Sequence, residues 1–209
     1  MMSIKERERS LFEGWRAKTK NFIEDGVVDG QSFLQQQCRY VFVLKEANQM
    51  GTTTLTDFLR DGAPGNGGHT WNPVCRWLTG EASRTFTTAE RKEILRDIAV
   101  MNLKKEDGGS VTDMHELENV VKRDSGLIRA QMDIYIEHEP IFFICCGSVL
   151  LTMISRHVFN NSEIDRNAPL PLMKPYAGRE AYFVGFNHPN ARKPGLAAKF
   201  GAIKALIKR

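Results

Sequence analysis

The chain has 209 residues, which is the length of one ordinary domain. Hydrophobic residues make up 42% of it and charged residues 26%, a balance typical of globular proteins and not of disordered, collagen-like or coiled-coil chains. No apolar run reaches the roughly 18 residues of a membrane span, and the charged N-terminus shows no signal peptide. We therefore expect a cytoplasmic protein without a membrane partner.

The formal net charge is +4, and the positive charge is concentrated near the C-terminus. No acidic residue follows Asn187, whereas six residues there are basic: Arg192, Lys193, Lys199, Lys204, Lys208 and Arg209. This distribution favours a nucleic-acid partner but does not require one.

Motifs for common cofactors are missing from the sequence. Its cysteines (Cys38, Cys75, Cys145 and Cys146) have no paired ligand spacing, so we expect buried thiols and no metal or iron–sulfur cluster. The glycine-rich residues 62–68 do not match a nucleotide-triphosphate loop, and no dinucleotide-binding glycine pattern follows a strand. Ser148 follows a strand, but its neighbours do not form a nucleophile elbow. We predict no cofactor.

The predicted elements begin with an amphipathic helix over residues 4–24, in an N-terminal segment 1–25, because apolar residues recur there at helical spacing. Strands are predicted at 40–44, 97–103, 141–146 and 181–186, with a short one near 170–173. Helices are predicted at 54–60, within 71–80 from after Pro73, and at 88–96, 113–137, 148–158 and 194–208. This alternation predicts an α/β fold, a three-layer αβα sandwich with a mainly parallel four- or five-stranded sheet. Residues 1–209 are expected to form a single domain with the N-terminal helix packed on it.

Polar residues gather where the predicted strands end, and ligands of such folds bind at the carboxyl ends of the strands. Asn102 closes one strand, and its amide can read the edge of an amide-like ring such as a pyrimidine. His188 follows another strand, where a neutral imidazole can donate to an oxygen that gains charge. Asn190, Arg192 and Lys193 come next and lead into a helix, which predicts contacts with phosphates.

Four segments, in this order, resemble motifs of the uracil-DNA glycosylase superfamily: YVFVLKEANQ (40–49), IAVMNLKK (98–105), PIFFICCGS (140–148) and AYFVGFNHPNARKPG (181–195). The first is similar to the family's strand and short polar loop, the second to the strand ending in the uracil-reading Asn. The third is similar to a core strand, and the fourth to the strand and His-Pro-Ser loop that enters the minor groove. The likeness covers residues 38–205.

The resemblance implies a fold of that family and excision of uracil or a related base from a nucleotide flipped out of DNA. Asn102 would read the base, and His188 would stabilise charge on the departing base. Glu46 or Asn48 would position water, with Glu46 as the general base. Phe58, His69 or Trp71 would stack on the base, and Trp71 is preferred. The protein would be a monomer in the cytoplasm, on the nucleoid if bacterial.

The sequence departs from the family at the first motif, where Asn48 and Gln49 replace Pro and Gly and Ala47 replaces the water-activating Asp of one branch. Asn190 stands at the Ser of His-Pro-Ser, and the cysteines of the iron–sulfur branches are missing. Two alternatives therefore stay open. One is a non-catalytic module of the same fold that binds nucleic acid or a nucleobase; the other is an unrelated α/β enzyme acting on a small polar metabolite.

Overall fold

The computed structural model describes residues 2–48, 53–108, 111–168, 170–191, 193 and 195–205. Its strands are β1 (Gly26–Val27), β2 (Arg39–Asn48), β3 (Ala99–Gly108), β4 (Ile141–Cys146), β5 (Leu172–Met173) and β6 (Ala181–Phe186). Its helices are α1 (Ile4–Arg16), α2 (Gly30–Gln35), α3 (Leu55–Arg60), α4 (Gly68–Thr79), α5 (Thr88–Leu95), α6 (Met114–Arg123), α7 (Ser125–Ile136), α8 (Ser148–Met153) and α9 (Leu196–Ala205).

Within these residues the strands form one six-stranded sheet in the order β1-β3-β2-β4-β6-β5. The four central strands are parallel, and the short edge strands β1 and β5 run antiparallel to their neighbours. The predicted α/β class is therefore confirmed, but the sheet is mixed and has one strand more than the upper limit of the prediction. The additional strand, β1, has two residues, which is too short for an alternating pattern to reveal.

Helices cover both faces of the sheet. One apolar cluster joins Val41, Val43 and Met101 to helices α1, α6, α7 and α8, and the predicted N-terminal helix contributes Phe12 and Trp15 to it. The other cluster joins the opposite sides of the same strands to helices α3, α4, α5 and α9. Successive residues of a strand thus enter different cores, as the pleat requires.

The chain leaves β2 towards helices on one face and leaves β3 towards helices on the other. A crevice opens where neighbouring strands send their connections to opposite faces, and α/β proteins bind ligands there. The centre of the sheet, at the carboxyl end of β2, is such a place.

Strands β2 and β3 both extend beyond their predicted ends, into segments predicted as polar loops. Their register pairs Leu44 with Asn102 and Glu46 with Lys104, and it shifts after Glu46. Opposite charges lie on the same face of adjacent strands here, since Lys104 Nζ is 3.3 Å from a Glu46 carboxylate oxygen. Cross-strand ion pairing continues the sheet through residues that composition alone assigns to a loop.

Three helical predictions also differ from the structure. The first helix, predicted over residues 4–24, ends at Arg16. The helix predicted over 113–137 is broken at Asp124 into α6 and α7. The helix predicted to begin near Pro73 starts earlier, at Gly68, and Pro73 lies inside it. None of the helices in the described ranges is long and apolar enough to cross a membrane. Cys75, Cys145 and Cys146 are buried free thiols, and Cys38 is half-buried.

Candidate functional site

A cavity of about 850 Å³ lies at the carboxyl ends of β2 and β3, between these strands, the segment after β6 and the start of α4. We call it the strand-end cavity. Six of the predicted site residues line it: Glu46, Phe58, Trp71, Asn102, His188 and Asn190. The amide of Asn102 and the imidazole of His188, 86 positions apart in the chain, therefore face one cavity, as the strand-end argument predicts.

Asn102 is the most unusual residue of the strand-end cavity. It is 0% exposed, and neither its Oδ1 nor its Nδ2 has a hydrogen-bond partner among the described residues. A buried amide without partners costs roughly 1–3 kcal/mol, so native proteins keep very few of them. Since Asn102 lines the cavity, a ligand entering there can supply the missing partners.

The backbone of Asn102 is held from the opposite face of the sheet. Its N–H donates to a carboxylate oxygen of Asp25 at 2.7 Å. The same carboxylate accepts from Lys105 Nζ at 2.6 and 2.7 Å and from Gln131 Nε2 at 2.9 Å. Both charged side chains of this pair are 0% exposed. Asn102 therefore belongs to a backbone segment that a buried ion pair fixes in place.

The Lys105 ammonium is enclosed by polar and aromatic groups. It donates to Gln131 Oε1 at 2.8 Å, and it lies 4.9 Å from the ring centre of Trp15. Burial lowers the pKa of Lys105, and the Asp25 carboxylate opposes this effect. The network continues through Gln131 and Tyr135 to Glu8 of α1, whose carboxylate accepts from the Tyr135 hydroxyl at 2.7 Å.

His188 is half-buried and has a defined proton position. The backbone N–H of Asn190 donates to its Nδ1 at 3.2 Å, so the proton of the neutral ring lies on Nε2. Burial lowers the pKa of His188, and the nearby charge of Lys45 lowers it further. The neutral imidazole is therefore favoured at pH 7, with Nε2–H as its donor.

Glu46 is the single carboxylate among the described residues that line the strand-end cavity. Its side chain is 6% exposed and pairs with Lys104, which also pairs with Glu116 at 2.9 Å. Burial alone would lower the pKa of Lys104, but the two carboxylates outweigh it and raise that pKa. The Glu46 carboxyl group packs against the backbone at Gly108, where a Cβ would overlap it. Glu46 is thus already paired with a cation.

Two of the three aromatic candidates line the strand-end cavity, and the third does not. Trp71 is 4% exposed, whereas Phe58 is half-buried and has more of its ring accessible. A Cβ at Gly67 would lie 2.5 Å from the tip of the Phe58 ring, so the glycine-rich segment makes space for this side chain. His69 lines a second cavity instead.

The remaining predicted residues divide between the two cavities. Lys193 lines the second cavity, and Asn190 lines both. Asn48 is the last residue of β2, but its side chain lies outside what the structure describes. Arg192, Gln49 and the end of the basic tail, residues 206–209, also lie outside the described residues.

Sequence reasoning missed three contributors to the strand-end cavity and its support: Lys45, Thr70 and Asp25. Lys45 and Thr70 line the cavity, and Asp25 supports Asn102 from behind. The position of Lys45 beside Glu46 after a buried strand was a usable signal. Asp25 gave no such signal, because it lies 77 positions from Asn102 and outside every recognised motif.

No protein-family model matches the sequence, and no curated protein is significantly similar to it.

Proposed function

We propose that this protein is a DNA glycosylase that hydrolyses the N-glycosidic bond of uracil, or of a related damaged base, in a nucleotide flipped into the strand-end cavity. The observation that carries the proposal is the fully buried Asn102 amide, which lines this cavity with both polar atoms unpartnered. A volume of about 850 Å³ is ample for a nucleobase and its sugar.

Recognition of the base follows from the two polar atoms of Asn102. The Oδ1 accepts from a ring N–H, and the Nδ2 donates to an adjacent carbonyl oxygen, which together match the N3–H and O4 edge of uracil. No described neighbour fixes which way the amide faces. Related bases that present a similar edge, such as hypoxanthine and xanthine, therefore belong to the same substrate class. Phe58 stacks on the base because its ring is the more accessible of the two aromatic side chains.

Hydrolysis needs charge stabilisation on the leaving base and a proton acceptor for water. As the glycosidic bond breaks, its electron pair moves to the base, and the His188 Nε2–H donates to the base oxygen that gains charge. Water adds to the sugar carbon and gives its proton to the Glu46 carboxylate. The immediate products are an abasic sugar, the base anion and a protonated Glu46; the base anion then takes up a proton from solvent, and Glu46 loses its proton.

A second candidate function is binding of a nucleobase without catalysis, and the state of Glu46 favours it. Its carboxylate is already paired with Lys104, so it is less available as a proton acceptor. Under this alternative, Asn102 and His188 recognise the base and no bond breaks.

The two candidates differ in whether base is released. Oligonucleotides containing uracil, hypoxanthine or xanthine, single- and double-stranded, would be incubated with the protein and then cleaved with alkali at abasic sites. We expect strand cleavage with wild type and at least ~100-fold less with Asn102→Ala or His188→Ala. Thermal melting of each variant would establish that it folds. Wild-type cleavage no greater than that of the Asn102→Ala/His188→Ala double variant would contradict catalysis. Calorimetric binding of free bases would then test the second candidate.

A further inference from the structure

Lys45 is the only lysine or arginine among the described residues that line the strand-end cavity. It is half-buried, and it forms no ion pair with any carboxylate that the structure describes. Its neighbour Glu46 pairs with Lys104 instead. The proposed hydrolysis assigns no step to Lys45, so the wall of the cavity carries an amine with no acidic partner in the described part of the chain.

Lys45 lies near His188, although the two residues are far apart in the sequence. The charge of Lys45 is close enough to the imidazole to lower the pKa of His188. In the sheet, Val43 pairs with Cys145, so Lys45, two residues further on, lies level with Gly147. Because glycine has no side chain, the end of β4 leaves the lysine stem open towards the segment after β6, where His188 lies.

The proposed binding mode of the base places Lys45 beside the sugar. Asn102 takes the N3–H and O4 edge of uracil, so the base oxygen that remains for His188 is O2. The carbon that carries O2 is bonded to N1, the ring nitrogen that is linked to the sugar. A group beside His188 therefore lies at the glycosidic end of the base, and the flexible four-carbon stem of lysine lets its amine approach C1′.

We infer that Lys45 gives this protein a second activity, cleavage of the DNA strand at the abasic sugar through an imine between Lys45 Nζ and C1′. The inference rests on the proposed function, since loss of the base is what allows the sugar to open and expose an aldehyde at C1′. Lysine amines form such imines with carbonyl groups. The ligand of this activity is an aldehydic abasic site in DNA.

The reaction needs only water and groups that line the strand-end cavity. The lone pair of the unprotonated Nζ bonds to C1′, the two N–H protons and the aldehyde oxygen leave as water, and the imine takes a proton from solvent. The Glu46 carboxylate, free again of the proton from the first step, then accepts a proton from C2′. The C–H electron pair forms a C2′=C3′ double bond, while the C3′–O bond breaks and its electron pair leaves with the phosphate. Water hydrolyses the imine and restores the Lys45 amine.

DNA that already contains an abasic site tests this activity separately from base release. The full chain, in saturating excess, would be incubated with a 5′-labelled oligonucleotide bearing one preformed abasic site. Sodium borohydride in half of the samples reduces the imine to a stable amine. Denaturing gels separate the protein–DNA adduct, the cleaved strand and the intact strand, and mass spectrometry of tryptic peptides locates the adduct.

The variant is Lys45→Arg, which keeps the positive charge but carries a guanidinium that stays protonated and forms no imine. The matched control is Lys20→Arg, because Lys20 is exposed and lies outside the strand-end cavity. Thermal melting would establish that both variants fold. The position of the adduct in wild type tests the assignment even if Lys45→Arg does not fold.

We expect wild type to form the adduct at Lys45 and to cleave the strand without alkali. Lys45→Arg should give about 100-fold less adduct and cleavage, and Lys20→Arg should match wild type within about twofold. Equal adduct yields from the two variants would overturn the inference. An adduct at another lysine, or no adduct with wild type, would also overturn it.

Failure of the proposed function would give a different result. A wild-type protein that forms the Lys45 adduct on the preformed abasic site, but releases no uracil from uracil-containing DNA, would contradict the glycosylase and support the cleavage activity. Release of uracil without any adduct on the preformed site would support the glycosylase and overturn the role of Lys45.

Discussion

Two buried polar side chains of β3, Asn102 and Lys105, lie on opposite faces of the strand in opposite environments. On one face the Asn102 amide is buried beside a cavity without partners. On the other, the Lys105 ammonium is buried among Asp25, Gln131 and two aromatic rings, with its donors used. A satisfied buried network rigidifies the fold, whereas an unsatisfied group lowers stability unless a ligand completes it.

One face of β3 supports the backbone, while the other face leaves the Asn102 side chain beside the cavity. Asp25 joins the two faces, because its carboxylate accepts from both the Lys105 side chain and the Asn102 backbone. The network on the packed face therefore holds in position an amide whose side chain is left open to a ligand. Substitutions on the two faces should change stability and binding in different proportions.

The largest stability effect should come from Lys105→Met. This change leaves the Asp25 carboxylate buried without its counter-ion, so we expect the free energy of unfolding to fall by about 3–5 kcal/mol in urea titrations. Arg7→Gln is the control, since it breaks an exposed ion pair with Glu137 and should cost less than ~1 kcal/mol. Equal stability of the two variants would contradict the structural role given to the Lys105–Asp25 pair.

Glu46→Gln tests whether Glu46 takes part in catalysis at the strand-end cavity. If Glu46 accepts the proton of the attacking water, the rate of base release should fall by about 100-fold. Glu116→Gln is the matched control, because Glu116 also pairs with Lys104 but does not line the strand-end cavity. Its rate should stay within about threefold of wild type. Similar rates for Glu46→Gln and wild type would favour the non-catalytic alternative.

Asn102→Leu should abolish base binding yet raise the free energy of unfolding by about 1 kcal/mol, because it removes a buried amide without partners. The control is Asn72→Leu, since the Asn72 Oδ1 accepts from the backbone N–H of Phe86 at 2.8 Å. This second change should lower stability by about 1 kcal/mol. Urea unfolding of both proteins measures the contrast; destabilisation by both would mean that the Asn102 amide is not deprived of partners.

The smallest effect concerns His188. Because burial and then Lys45 lower its pKa, an NMR titration should place that pKa below the ordinary value of about 6.5. The folded protein then binds fewer protons than the unfolded chain just below pH 6.5, so stability should decrease as pH falls through this range. Base release should persist as the pH falls through 6.5. A His188→Gln protein should lose part of the pH dependence of stability; a His188 pKa at or above 6.5 would contradict the neutral-imidazole assignment.

That Asn102 and His188 lie at one cavity could be predicted from the sequence, because parallel strands present their carboxyl ends at the same edge of a sheet. The central strands of the sheet could also be predicted, because each contains a continuous apolar run, such as residues 141–146, flanked by polar residues.

Long-range electrostatics explains what the sequence concealed. The sequence assigns Lys105 to a polar loop, because its buried counter-ion, Asp25, lies 80 positions away in the chain. Glu46 and Lys104 extend two strands by pairing with each other, and neither segment carries a strand pattern alone. The second cavity is lined by Arg76 and Lys193, which lie far apart in the chain, so no local motif marks it.

Helix α1 is connected to the backbone of Asn102 through hydrogen bonds. These bonds run from Glu8 through Tyr135 and Gln131 to Asp25. Residues 1–25 are accordingly part of the scaffold that positions Asn102. Deleting these residues, or fusing a bulky tag to α1, should make the position of the Asn102 side chain less well defined, although neither change touches the strand-end cavity.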